Sequence, residues 1–343
     1  MTLPDDPPAR KPRRFWLYAP FVLALLLVAA WGGVWLHLRG QAEKALDDGA
    51  ARLRAQGYEV AWKSRAVTGF PMRLSVSLTD ARIREPSGWA LAAPVLEAEA
   101  RVHAPGHWLF AAPQGLTFTR PKGGPVKVTG QVLRASLRNL DASPPNFSFE
   151  GVKLAFAPEA GALPFALATA ERVELHLRSA PDDKGSSLLR VADAKGRPGT
   201  LWGRIAGDAT IDIGWDLALD HAAAFKGESW PDAVRNWTAA GGSAEVKQAG
   251  ITAGPAVLGV RSGRLSVDPD GRLRGELRAN LKRAPQALAA MGAEGVIAPE
   301  TAAIAGLVAS TRQDGEIAGA TITFQAGQTT LGPVAIAPAP KVY

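Results

Sequence analysis

From Tyr58 onward, apolar and polar residues alternate with a period of two. Across Met72–Asp80, Met72, Leu74, Val76 and Leu78 fall on one side and Arg73, Ser75, Ser77 and Thr79 on the other. That is the pattern of a strand with one covered face. It returns in 94–102, where Leu96, Ala98, Ala100 and Val102 oppose Glu97, Glu99 and Arg101. Phe147, Phe149, Val152, Leu154 and Phe156 follow it, as do Val173, Leu175 and Leu177, and then Ile211, Ile213, Trp215, Leu217 and Leu219. Leu265 to Leu273 reads as two strands around the turn Asp268-Pro-Asp-Gly271, and 320–324 as a last strand. One-sided alternation, broken at short intervals by Gly, Pro, Asn and Asp, predicts curved antiparallel sheet, as a meander, groove or sandwich.

Helical periodicity is rarer. Ala42, Leu46, Ala50 and Leu53 recur at helical spacing, which predicts a linker helix over 37–57 ending at Gly57. Shorter helices are expected within 221–240, with Pro231 in a first turn, and over 284–291 and 299–311. Ahead of the linker, the uncharged run 15–36 would span roughly 33 Å as a helix, against a hydrocarbon core of ~30 Å. Trp16 and Tyr18 at one end, and Trp31 and Trp35 at the other, suit the two interfacial belts. Arg10, Lys11, Arg13 and Arg14 precede the run, so the positive-inside rule puts residues 1–14 in the cytoplasm and the body across the inner membrane, in the periplasm. The run exceeds the ~7–15 apolar residues of a cleavable signal, and a bulky Trp31 follows Ala29-Ala30, so an uncleaved anchor is expected. The organisation predicted is a basic tail (1–14), a membrane helix (15–36), a linker helix (37–57) and one β-rich exported domain (58–343). Any loose subdivision falls near 181–199. The fold class is therefore α+β and β-rich.

Charge and composition narrow the chemistry. The 343-residue chain has 39 basic and 32 acidic residues, 39 − 32 = +7. Two of those charges sit in the tail, and the other five are dispersed, so no nucleic-acid surface is expected. Cysteine is absent, which removes disulfides, thiolate metal sites and cysteine nucleophiles. No phosphate loop, dinucleotide fingerprint, nucleophile elbow or zinc helix is present. His103 and His107 are four apart, but Pro105-Gly106 between them rules out a helical metal pair, leaving turn histidines beside Trp108. Asp208, Asp212, Asp216 and Asp220 are read as a solvated face opposite Ile211, Ile213 and Trp215. No catalytic residue, metal or cofactor is expected. Ten tryptophans stand against three tyrosines. Of those outside the membrane run, Trp62, Trp89, Trp108 and Trp215 either fill the core or line an apolar groove.

The segment Tyr58-Glu-Val-Ala-Trp62, the step Thr68-Gly-Phe-Pro-Met-Arg73, the later Ala104-Pro-Gly-His-Trp108 and the ending Thr330-Leu-Gly-Pro-Val334 occur together behind a single anchor. With these the chain resembles the domain of unknown function 2125 family, exported envelope proteins of alphaproteobacteria. The specific piece is Gly69-Phe70-Pro71 followed by Arg73, read as a structural turn with Gly69 in a backbone conformation other residues avoid and Phe70 packed inward. The anchor-plus-meander arrangement is more distantly similar to AsmA-like envelope proteins, which implies a β groove that handles lipid. The function expected is a non-enzymatic, membrane-anchored envelope protein. Its partners would be the bilayer, a lipid or other apolar ligand along the sheet, or an envelope protein it scaffolds. A hydrolase with dispersed polar residues is the alternative.

Overall fold

The structure, a computed structural model, describes residues 15–343 apart from 294, 296, 312, 315 and 316. The basic tail of residues 1–14 thus lies outside the described residues. Helix α1 (Phe15–Ala55) runs unbroken through both the apolar run and the segment read as a separate linker. No Gly-Pro step or capping residue intervenes at 36–37, so the backbone has no reason to stop there. It holds the one stretch, among the described residues, that is long and apolar enough to cross a bilayer.

A single antiparallel sheet follows. Its first part comprises β1 (Glu59–Ala61), β2 (Ser64–Thr68), β3 (Arg73–Arg84), β4 (Ala90–Arg101), β5 (Ala104–Ala111), β6 (Leu116–Arg120), β7 (Gly124–Thr129) and β8 (Val132–Arg138). The middle comprises β9 (Asn146–Pro158), β10 (Leu167–Ala180), β11 (Lys184–Gly196), helix α2 (Leu201–Ala206) and β12 (Ile211–Asp220). A 3-10 turn (Ala222–Ala224) and helix α3 (Trp230–Ala239) lead to β13 (Ala244–Ala253), β14 (Ala256–Val267) and β15 (Leu273–Lys282). Last come α4 (Ala284–Ala293), α5 (Pro299–Thr311), β16 (Gln313–Asp314), β17 (Ile317–Gln325), β18 (Gln328–Leu331) and β19 (Val334–Pro338).

The topology is simpler than the strand count suggests. β5 and β6 both pair with β4, and β7 and β8 both pair with β9. β5 in turn pairs with β8, and β6 with β7. Each of these couples is one long strand bent in the middle, at 112–115 and at 130–131. β1 and β2 form a third such strand along β3. With these merged, every long strand pairs with the next in the chain, which is an up-and-down meander from end to end. The sheet curls as it goes. The Tyr58 hydroxyl, just ahead of β1, donates to the Glu228 carbonyl in the β12–β13 connection at 3.2 Å.

The segment 181–199, expected as a boundary, is instead a turn and strand β11, paired on both sides with β10 and β12. Its loop-like composition belongs to the turn, where Asp182 and Asp183 take positive φ. Helix α2 had no sequence signal. Thr200 caps it through Oγ1, and it covers Ala170, Val191, Ala194 and Ile211 with Trp202, Ile205 and Ala206. In the region expected to be helical over 221–240, the helix proper starts only at Trp230. Ser229 caps it, and it buries Val234 and Trp237. The helices α4 and α5 form a hairpin over β17 to β19, around Leu288, Ile297, Ala305 and Leu331.

Candidate functional site

Because strands alternate their faces and each pairs directly with the next, residues of one face line up in rows across the whole sheet. Val67 pairs with Val76, Val76 with Ala98, Ala98 with Phe110, Phe110 with Ala135 and Ala135 with Phe149. The row continues through Leu175, Leu189, Trp215, Ala249, Val260 and Ala279 to Ala320. Every member is apolar. On the other face the row Ser77, Glu97, Ala111, Arg134, Glu150, Glu174, Arg190 and Gly214 is largely charged or polar.

Cover over the apolar face is uneven. At its start, Ala42 and Leu46 of α1 pack on Leu74, Val76, Leu78 and Ala81, and an almost wholly apolar cavity of about 380 Å³ remains between α1 and the sheet. At the end of the sheet the α4–α5 hairpin lies over the face. Between them, Phe110, Leu137, Phe147, Leu175, Leu177 and Trp215 are half-buried and belong to none of the six buried clusters. This open stretch is the candidate site.

The four singled-out tryptophans are dispersed rather than gathered at one point. Trp62 and Trp108 pack with α1 against the first cluster. Trp62 also lines the cavity there, beneath the Arg54 guanidinium. Trp89 is exposed at the β3–β4 turn and stacks on Phe118 at 5.2 Å. Trp215 stands in the open stretch, its indole N–H donating to Ser187 Oγ at 3.0 Å. Phe110, Leu137 and Phe147 complete that stretch without having been singled out. Their strands were readable, but an apolar strand position looks the same whether a helix or nothing covers it.

The Gly-Phe-Pro step departs from its expected role. Gly69 has φ +106°, and a Cβ there would lie 2.7 Å from the Arg73 carbonyl oxygen, so the turn requires glycine. Phe70, expected to pack inward, is 52% exposed and meets Trp35 of α1 edge-on, centroids 5.7 Å apart. Trp35 and Trp31, expected only as interfacial residues, hold the turn. Their indole nitrogens donate to the carbonyls of Arg73 and Pro71 at 2.8 and 2.9 Å. At the other end of the apolar run, Tyr18 is exposed, and the Trp16 backbone is helical.

The polar face carries surface ion pairs. Arg134 Nε donates to Glu150 at 2.7 Å, and Arg172 reaches both Glu150 and Glu174, at 3.3 and 3.0 Å. They border a shallow depression of about 830 Å³ that also takes in His176, whose Nδ1 lies 2.9 Å from Ser148 Oγ. His107 lies on strand β5, not in a turn, and its Nε2 accepts from Arg138 Nε at 2.7 Å. Burial, then the charges of Arg138 and Arg101, hold its pKa below the ordinary value. Where Tyr58 meets the β12–β13 connection, burial, helped by Glu85 and Asp232, pushes its hydroxyl pKa up. Asp212, Asp216 and Asp220 alternate with the apolar row on β12. Asp220 accepts from Ser243 Oγ, and Asp212 from the Asp193 backbone. Among the described residues no group of three His, Asp or Glu side chains is placed to hold a metal ion.

No curated protein and no solved structure matches the chain. The family model described as an uncharacterized protein conserved in bacteria, domain of unknown function 2125, matches residues 35–340, from the end of the apolar run to beyond the last strand, and the chain belongs to that family.

Proposed function

We propose that the protein is a non-enzymatic envelope protein, anchored in the inner membrane by α1 with its body in the periplasm. Its meander binds lipid or another apolar ligand on the open stretch of its apolar face. One observation carries this reading: a cross-strand row that is apolar from β2 to β17 loses its helical cover around Phe110, Phe147, Leu175 and Trp215. Contiguous apolar surface that its own fold leaves only half-buried is the kind a ligand covers. The anchor supports a membrane ligand, because it keeps the face within reach of a bilayer. The likeness to AsmA-like proteins adds support only at the level of architecture.

The test is lipid extraction and mass spectrometry of the detergent-purified full chain beside its Leu175→Glu variant. Lipid that accompanies α1 is common to both. The expected result is an additional bound species in the native chain that the variant lacks at equal folded content. Identical lipid profiles would overturn the reading.

A further inference from the structure

We propose that the turn 69–73 is a second membrane contact, resting in the bilayer surface beside α1 with the headgroups of anionic lipids at its cationic rim. The inference rests on α1 spanning a bilayer and is independent of what the open stretch binds. The position of the turn follows from two hydrogen bonds. The apolar run ends at Leu36, and Trp31, whose indole donates to the Pro71 carbonyl, lies five residues before it. At 1.5 Å per residue, that contact is roughly 7 Å inside the end of the run. Any bilayer fitted to the run therefore takes in the turn. Its two large side chains suit that place and no aqueous one. Phe70 and Met72 are 52% and 62% exposed, although Met72 belongs to the apolar side of its own strand pattern.

Charge around the turn points the same way. Arg73 and Arg101 are direct cross-strand partners, a like-charge pairing that is unfavourable on its own. Both line a cavity of about 450 Å³ with His103, His107 and Glu99, immediately beside Met72, whose carbonyl accepts from the Val102 N–H. Glu99 offsets part of this charge through an ion pair with Arg73 at 3.4 Å, and Arg138 restores it from the far side of His107. An apolar tip with a cationic rim is the composition that binds an anionic membrane surface.

The absence of cysteine makes the test clean. An environment-sensitive fluorophore is attached to Met72→Cys in the full chain, reconstituted in phosphatidylcholine vesicles with and without phosphatidylglycerol. Leu25→Cys in α1 and Leu163→Cys in the β9–β10 connection, both exposed positions, serve as references. The expected result is blue-shifted emission at position 72, quenched by shallow spin-labelled lipid and protected from aqueous iodide, with position 163 fully quenched by iodide. Phosphatidylglycerol should increase the shift, and Arg73→Gln with Arg101→Gln should abolish that increase. A position-72 probe as iodide-accessible as position 163, while position 25 is buried in lipid, overturns the proposal and leaves the anchor standing. If position 25 is itself accessible, the anchor fails and the proposal with it.

Discussion

Where α1 lies over β3, Leu74, Val76 and Leu78 are buried, whereas on β9 to β12 the residues of the same cross-strand rows, Phe147, Phe149, Leu175 and Trp215, are only half-buried. The strands at both places have the same one-sided alternation and the same antiparallel pairing. What differs is the partner. A helix fixed near its middle to the Gly69–Arg73 turn by Trp31 and Trp35 turns the first region into a core. In the second region the short helix α2 covers only Val173, Leu189, Val191 and their neighbours, and Phe147, Leu175 and Trp215 beside them stay partly exposed. Burial in this fold is decided by which helices are laid along a uniform face, and the open stretch falls beside α2, which at six residues is too short to cover it.

The largest expected effect separates these regions by stability. Leu78→Ala removes a buried side chain beneath α1 and leaves a cavity the sheet cannot close, costing about 2–4 kcal/mol. Leu175→Ala removes a side chain that is only partly buried, so its cost is smaller, about 1–2 kcal/mol. Urea unfolding of the two variants against the parent chain measures both. Equal losses would mean that the middle of the face is packed as tightly as its beginning, and the comparison would fail.

A smaller effect distinguishes the scaffold of the open stretch from its surface. Trp215→Phe keeps an aromatic face but removes the indole donor to Ser187 Oγ, leaving a buried hydroxyl unpartnered. The expected loss is about 1 kcal/mol in unfolding free energy. The bound-lipid profile should stay unchanged, because the apolar surface presented by the ring is retained. A variant that loses the lipid while keeping its stability would assign Trp215 to ligand recognition rather than to tying β11 to β12.

Much of this organisation was legible in the sequence, for a definite reason. Period-two alternation at β3, β4 and β12 is a property of the strand alone, so it is readable before any partner is known. The capped helix at Trp230, the two alanine-rich helices and the apolar run are local in the same sense. The open stretch was not legible, since Leu78 and Leu175 carry identical local patterns and differ only in a helix more than twenty residues away from either. The docking of Phe70 on Trp35 was equally hidden. A Gly-Phe-Pro step announces a turn but not what lies against it, and the indole contacts span about forty residues of sequence. Helix α2, six residues long with a glycine inside, is too short to show a period.

The smallest expected effect lies on the polar face, at the seam between the two regions. His107 on β5 and Arg138 on β8 link the strand that holds both Trp108, packed with the α1-covered cluster, and Phe110, where the open stretch begins, to its neighbour. His107 accepts through Nε2, so that nitrogen is unprotonated in the fold, and its pKa is held below the ordinary 6.5 by burial and by Arg138 and Arg101. The unfolded chain therefore binds this proton more readily than the folded one. The contribution is fully present above pH 6.5 and is lost as the pH falls through the folded-state value, when an imidazolium would face a guanidinium. Unfolding measured from pH 7 to pH 5 should show a slight loss of stability that His107→Gln flattens. An NMR titration of the His107 ring should give a midpoint below 6.5. A midpoint at or above that value would mean that the His107–Arg138 contact does not form in solution, and that on this side β5 and β8 rest on their backbone pairing alone.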